Sequence, residues 1–149
     1  MTAMLKKARA LFRAHREPIL YLIFGGLTTA VDFGISFLLY RFWIDAVQAP
    51  DAAVHLADLL AWSAAVAFAY VTNRIWVFKS QKRGAFAVLT ELLHFAGGRI
   101  FTLLLQEAVM AVCVTWLGGN KYLFRILVAG AVIVLNYVIS KLIVFKSAK

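Results

Sequence analysis

Four apolar runs, each long enough to cross a bilayer as a helix, take up most of this 149-residue chain. They cover about residues 19–40, 57–77, 95–116 and 122–145, and the third has an earlier possible start near Phe86. About twenty residues are needed to span a hydrocarbon core of about 30 Å. In lipid the backbone must satisfy its own hydrogen bonds, so such runs are helices. The composition leaves little alternative: 63% of residues are hydrophobic and 15% charged, against roughly half and a quarter in soluble domains. A chain this small cannot hide that much apolar surface in a core of its own. The expectation is an all-α integral membrane protein in which residues 1–149 form a single domain of four transmembrane helices.

The net charge of +9 raises the question of nucleic acid, where Lys and Arg neutralise phosphates. The positions of the charges answer it. Lys6, Lys7, Arg9, Arg13 and Arg16 precede the first run, Arg74, Lys79, Lys82 and Arg83 close or follow the second, and Lys141, Lys146 and Lys149 end the chain. The 44–56 loop has Asp45 and Asp51 but no Lys or Arg. This is the bias that orients helices in a membrane, with basic loops kept in the cytoplasm. It places both termini and the middle loop on the cytoplasmic side of the inner membrane, and no nucleic-acid partner is expected. The apolar stretch after the basic N-terminus is too long for a signal-peptide core, so it reads as the first span.

Two of the runs end alike, in Asn73-Arg-Ile-Trp-Val-Phe-Lys-Ser80 and Ser140-Lys-Leu-Ile-Val-Phe-Lys-Ser147. A shift of 67 residues lays Tyr70 on Tyr137, Arg74 on Lys141 and Phe78 on Phe145. Phe24-Gly25-Gly26 and Phe95-Ala96-Gly97-Gly98 open the two halves at a slightly different offset. The pattern reads as a duplicated two-helix hairpin. Because each unit has two spans, the copies share one orientation, as in parallel transporter repeats. Gly25, Gly26, Thr28 and Thr29, like Gly97 and Gly98, suit close helix packing.

Ionisable residues inside a span are costly and mark function by default. Asp32 lies near the middle of the first span, and Arg99, Gln106 and Glu107 lie in the third. A cation near one interface with carboxylates beyond it suits an anionic head group followed by a hydroxyl-rich one. Pairing of Asp32 or Glu107 with Arg99 as helix glue is the structural alternative. Asn73 with Arg74, and Asn136 with Lys141, sit near the cytoplasmic ends of spans two and four. Arg presents a planar donor fork to phosphate and Lys a point charge, although both also snorkel to lipid head groups. Lys79 and Lys146 read as anchors of that kind.

Cys113 is the single cysteine, in an apolar run and with no metal-ligand spacing, so no metal or cofactor is expected. No Gly-x-x-x-x-Gly-Lys-Ser/Thr loop, nucleophile elbow or zinc signature occurs, and the chain reads as a non-enzyme.

With Phe24-Gly25-Gly26 in span one, Asn73-Arg-x-Trp-Val-Phe78 closing span two and Asn136-Tyr-x-x-Ser-Lys-x-x-Val-Phe-Lys146 closing span four, the chain resembles the GtrA-like family from about Glu17 to Lys146. Asn73, Arg74, Trp76, Phe78, Asn136 and Lys141 match its pattern, whereas Leu142-Ile143 replace an aromatic often seen there. The resemblance implies a place in cell-surface polysaccharide synthesis. There the protein would flip a polyprenyl-phosphate-linked sugar across the cytoplasmic membrane, or serve as a non-transporting partner that recruits or stabilises a glycosyltransferase. On the first reading Arg99, Arg74 and Lys141 hold the phosphate. Asp32, Glu107, Gln106, Asn136 and Asn73 line a polar path or couple protons. A homodimer is expected, because four helices enclose little interior.

Overall fold

The computed structural model describes residues 15–44 and 51–146. Lys6, Lys7, Arg9, Arg13, Asp45, Ser147 and Lys149 lie outside the described residues. The chain forms four helices, α1 (Arg16–Leu39), α2 (Asp51–Thr72), α3 (Ala85–Met110) and α4 (Lys121–Ile139). Each runs on into a short π-helical turn: Tyr40–Ile44, Asn73–Val77, Ala111–Trp116 and Ser140–Val144. Among the described residues there is no strand, and all four helices are long and apolar enough to cross a membrane. The third begins at Ala85, next to the earlier start near Phe86. Gly84, at φ 92°, precedes it, and its first turns carry the polar Thr90, Glu91 and His94 ahead of the apolar run.

The chain divides into two compact units, Met1–Lys79 and Ser80–Lys149, each a helical hairpin. In the first, α2 buries Ala57, Ala61, Ala65 and Ala69 in one stripe. Small residues one turn apart let helix backbones approach closely, and α1 and α2 pack side by side. Phe24 stacks on Trp76 at 5.5 Å, and Tyr21 meets Phe78 at 6.3 Å. The Gly25-Gly26 pair takes no part in this closeness, since a Cβ at either would meet nothing within 4 Å. Thr28 and Thr29 return their hydroxyls to the carbonyls of Phe24 and Gly25.

In the second unit Gly98 does bring helices together, because a Cβ there would stand 3.0 Å from Ile139 Cγ2, whereas Gly97 faces open space. The turn between α3 and α4 is built from Gly118 at φ +65°, Gly119, whose N–H donates to the Cys113 carbonyl at 3.0 Å, and Asn120. The Asn120 side chain accepts from the N–H groups of Tyr122 and Leu123 and so caps α4, satisfying donors a helix start otherwise leaves open.

The two repeated endings take the same local form. Phe78 N–H donates to the Asn73 carbonyl at 2.9 Å, and Phe145 N–H to the Ser140 carbonyl at 2.8 Å. Each terminal Phe meets an aromatic on the preceding helix: Tyr21–Phe78 at 6.3 Å and 57°, Phe95–Phe145 at 5.9 Å and 56°. These ring pairs match the first helices of the two units by a shift of about 74 residues, not the smaller shift the glycine pairs suggest. On that match Asp32 corresponds to Gln106, so the middle of each first helix carries a polar residue.

Candidate functional site

In the second unit α3 turns Glu91, Phe95 and Thr102 inward, and α4 turns Val128, Asn136, Ser140 and Val144 inward. Thr102 Oγ1 donates to Asn136 Oδ1 at 2.9 Å, tying the helices together and fixing their relative height. At 100° per residue, Arg99 and Gln106 point about 60° and 40° to one side of Thr102, and Glu107 about 140° to the same side. On the antiparallel α4, Tyr137 and Lys141 point about 100° and 140° from Asn136, and the reversed direction carries them to that same flank of the hairpin. With Thr102 level with Asn136, Arg99 and Lys141 differ in height by only about 3 Å. The sequence thus placed two cations 42 residues apart, and folding sets them side by side at the end of the hairpin where α3 begins and α4 finishes.

Both cations are positioned by aromatics. The Arg99 guanidinium lies 5.3 Å from the centre of the Phe95 ring, and Lys141 Nζ donates to Tyr137 Oη at 3.2 Å. The first unit repeats the second device: Arg74 Nη1 donates to Tyr70 Oη at 3.1 Å. A Tyr one turn before a cation restrains that side chain without neutralising it. Arg74 and Tyr70 leave α2 on the flank corresponding to that of Lys141, and Asp32 points within about 40° of Thr28 toward it, about 10 Å deeper than Arg74.

Glu107 is exposed on its helix and has no hydrogen-bond or ion-pair partner among the described residues, so it is not the glue for Arg99. Asn136 is 7% exposed and is spent on Thr102. Asn73 is buried and turns its amide back to the Ala69 carbonyl at 2.7 Å, while its Oδ1 has no hydrogen-bond partner among the described residues. Interhelical bonds of the Thr102–Asn136 kind contribute about 0.6 kcal/mol on average in membranes. Asn136→Leu is therefore expected to lower the unfolding free energy in micelles by about 1 kcal/mol. A denaturant titration showing loss of the fold would contradict this.

The opposite flank of the same hairpin is of another kind. Leu93, His94, Gly97, Phe101, Leu135 and Ile139 line an open groove of about 590 Å³, apolar except for the imidazole.

Two polar groupings escaped the sequence reading. Glu91 is 1% exposed; its Oε2 accepts from Ser80 Oγ at 2.9 Å and lies 3.9 Å from Lys82 Nζ, while Lys82 also donates to the Val144 carbonyl at 3.1 Å. Tyr40 donates to the Asp58 carboxylate across the first hairpin. The available signal for Glu91 was a lone acid just after the basic stretch Lys79–Arg83. For Asp58 it was a carboxylate two residues past the Val54-His55-Leu56 opening of an apolar run. No metal-binding cluster of His, Cys, Asp or Glu occurs among the described residues.

The four apolar helices define a multi-pass membrane protein, and the chain belongs to the GtrA-like family: the model of the GtrA/DPMS transmembrane domain matches residues 20–145. The chain is 33% identical over 131 residues to the cell wall teichoic acid glycosylation protein GtcA of Listeria innocua, covering 88% of this chain and 86% of that one. It is 34% identical over 131 residues to GtcA of Listeria monocytogenes serovar 1/2a, with the same coverage. Against the uncharacterized membrane protein YwcD of Bacillus subtilis it is 32% identical over 130 residues, or 87% of this chain and 97% of that one. None of these descriptions names a catalytic activity. No solved structure matches the chain.

Proposed function

We propose that this protein moves a polyprenyl-phosphate-linked sugar across the cytoplasmic membrane, in the glycosylation of a cell-surface polymer. The observation that carries the reading is the polar flank of the second hairpin, where Arg99 and Lys141 share a height and Gln106 and Glu107 follow beyond them. Teichoic acid glycosylation in the names of the relatives supports the pathway. The head phosphate binds the Arg99–Lys141 pair, with Arg74 as the matching cation of the other unit. Gln106 and Glu107 offer donors and acceptors to sugar hydroxyls, with Asp32 as the polar residue at the matching place of the other unit, while Asn136 and Asn73 hold the helices and the prenyl tail stays in lipid.

The basic flanks set both termini in the cytoplasm, which makes the Arg99 end the loading end. The two units are copies of one hairpin, and the protein works as a homodimer without chemistry, metal or cofactor of its own. Consumption of the sugar outside, or proton transfer through Asp32 or Glu107, drives net flux.

The test is reconstitution into liposomes holding a polyprenyl-phosphate-linked sugar. Translocation above empty liposomes is expected, with Arg99→Ala reducing it at least about tenfold, the worth of one charge-assisted hydrogen bond. Wild-type protein that translocates nothing, yet co-purifies with a membrane glycosyltransferase whether or not Arg99 is replaced, would instead establish the non-transporting partner.

A further inference from the structure

Arg125 is a guanidinium inside a span that no role so far uses. It lies one turn into α4, is exposed, and has no hydrogen-bond or ion-pair partner among the described residues. Its neighbour Lys121 sits over the Tyr122 ring at 5.1 Å, at the interface where such pairs anchor a helix. Arg125 is deeper. A cation there goes against the bias that keeps basic residues away from the outer side, and an unpaired charge at that depth costs free energy on insertion. Something anionic must make it worthwhile.

Its direction and height are both informative. Phe124 and Val128 lie on the row of inward positions, spaced by four, that continues through Asn136, Ser140 and Val144, and Arg125 stands one position past that row, as Tyr137 and Lys141 do. It therefore belongs to the polar flank, not to the apolar groove. The Thr102–Asn136 bond puts Arg125 level with Cys113, about fourteen residues beyond Arg99 along α3, or about 21 Å of rise. That separation covers most of a hydrocarbon core of about 30 Å. Glu107 stands between the two cations, about 9 Å short of Arg125, too far for a direct ion pair.

We propose that Arg125 is the second phosphate station of the transport path, receiving the head phosphate of the lipid-linked sugar at the turn end of the second hairpin. This rests on the transport reading above. A phosphate that binds only at the Arg99 end has no stable place to arrive. A guanidinium at the far end supplies a planar fork that binds phosphate with two parallel hydrogen bonds. The intervening Glu107 carboxylate repels the anion and keeps it from lodging midway, so the phosphate rests at either end and only passes the middle.

The experiment uses liposomes with the chain inserted in one direction and a polyprenyl-phosphate-linked sugar supplied from one side at a time. Arg125→Gln is expected to raise the KM for substrate entering at the turn end about tenfold, leaving the KM from the terminal end unchanged; Arg99→Gln does the reverse. Arg125→Lys restores most of the loss, and the thermal midpoint of Arg125→Gln in detergent matches wild type, which separates binding from folding. If wild type transports and Arg125→Gln has wild-type KM from both sides, Arg125 only snorkels to bulk phospholipid and the inference is wrong. An equal rise from both sides, not rescued by Lys, would also overturn it. If wild type itself does not transport, the failure lies with the transport reading.

Discussion

Replacing Gly119 by alanine is expected to break the turn of the second hairpin. A Cβ at Gly119 would stand 2.6 Å from the Cys113 carbonyl oxygen and 2.5 Å from the Phe124 ring. The first obstacle is backbone and cannot rotate away, and the Gly119 N–H is itself bonded to that same carbonyl. Relief requires the turn to open, losing that bond and the Asn120 cap on α4 together. The expected cost is on the order of 2–4 kcal/mol, the range for overpacking combined with loss of a cap. Gly97→Ala is the matched control: its Cβ meets nothing within 4 Å, and alanine gains about 1 kcal/mol of helix propensity over glycine. A denaturant series in micelles should place the two variants on opposite sides of wild type. Thiol labelling of Cys113, the single cysteine, should accelerate only in Gly119→Ala. Equal midpoints for the two variants would show that the turn yields freely.

The second large effect is expected at Glu91. Its carboxylate is buried and serves Ser80 and Lys82, and Lys82 in turn donates to the Val144 carbonyl, at the end of the turn that follows α4. One side chain therefore holds the entry segment of the unit, the start of α3 and the end of α4. Glu91→Ala takes the Ser80 hydroxyl's acceptor and the carboxylate partner of Lys82, and opens a cavity. Breaking a buried charge pair from one side costs about 3–5 kcal/mol; the exposure of Lys82, at 41% of its side chain, puts the expectation at the low end, about 3 kcal/mol. Glu91→Gln keeps an acceptor for Ser80 and should lose less than half of that. Unfolding midpoints that leave Glu91→Ala equal to wild type would remove the clasp as a determinant of stability.

The sequence showed the spans because hydrocarbon demands a run of apolar residues, and such a run is visible one residue at a time. It showed the repeated ending for the same reason, and that ending proved to be a repeated piece of local structure. It also showed Arg99, Glu107 and Asp32 as out of place, since a charge among leucines needs no partner to be noticed. Glu91 was passed over because near a basic loop an acid looks like an ordinary surface residue; only packing reveals that it is buried and what it serves. The glycine pairs misled for a related reason. Gly25, Gly97 and Gly98 are equivalent as letters, but only Gly98 lies where Ile139 comes within contact.

What the sequence determined by itself was membrane residence, four helices, and which residues are too polar for lipid. These follow from the transfer of single side chains between water and hydrocarbon, a property that needs no neighbour. What only the tertiary structure decided was height and direction. The bond between Thr102 and Asn136 sets Arg99 level with Lys141 and sends Arg125 to the far end of the same flank. Which polar groups can serve one ligand depends on how two antiparallel helices are aligned, and that alignment is fixed by contacts between residues distant in the chain.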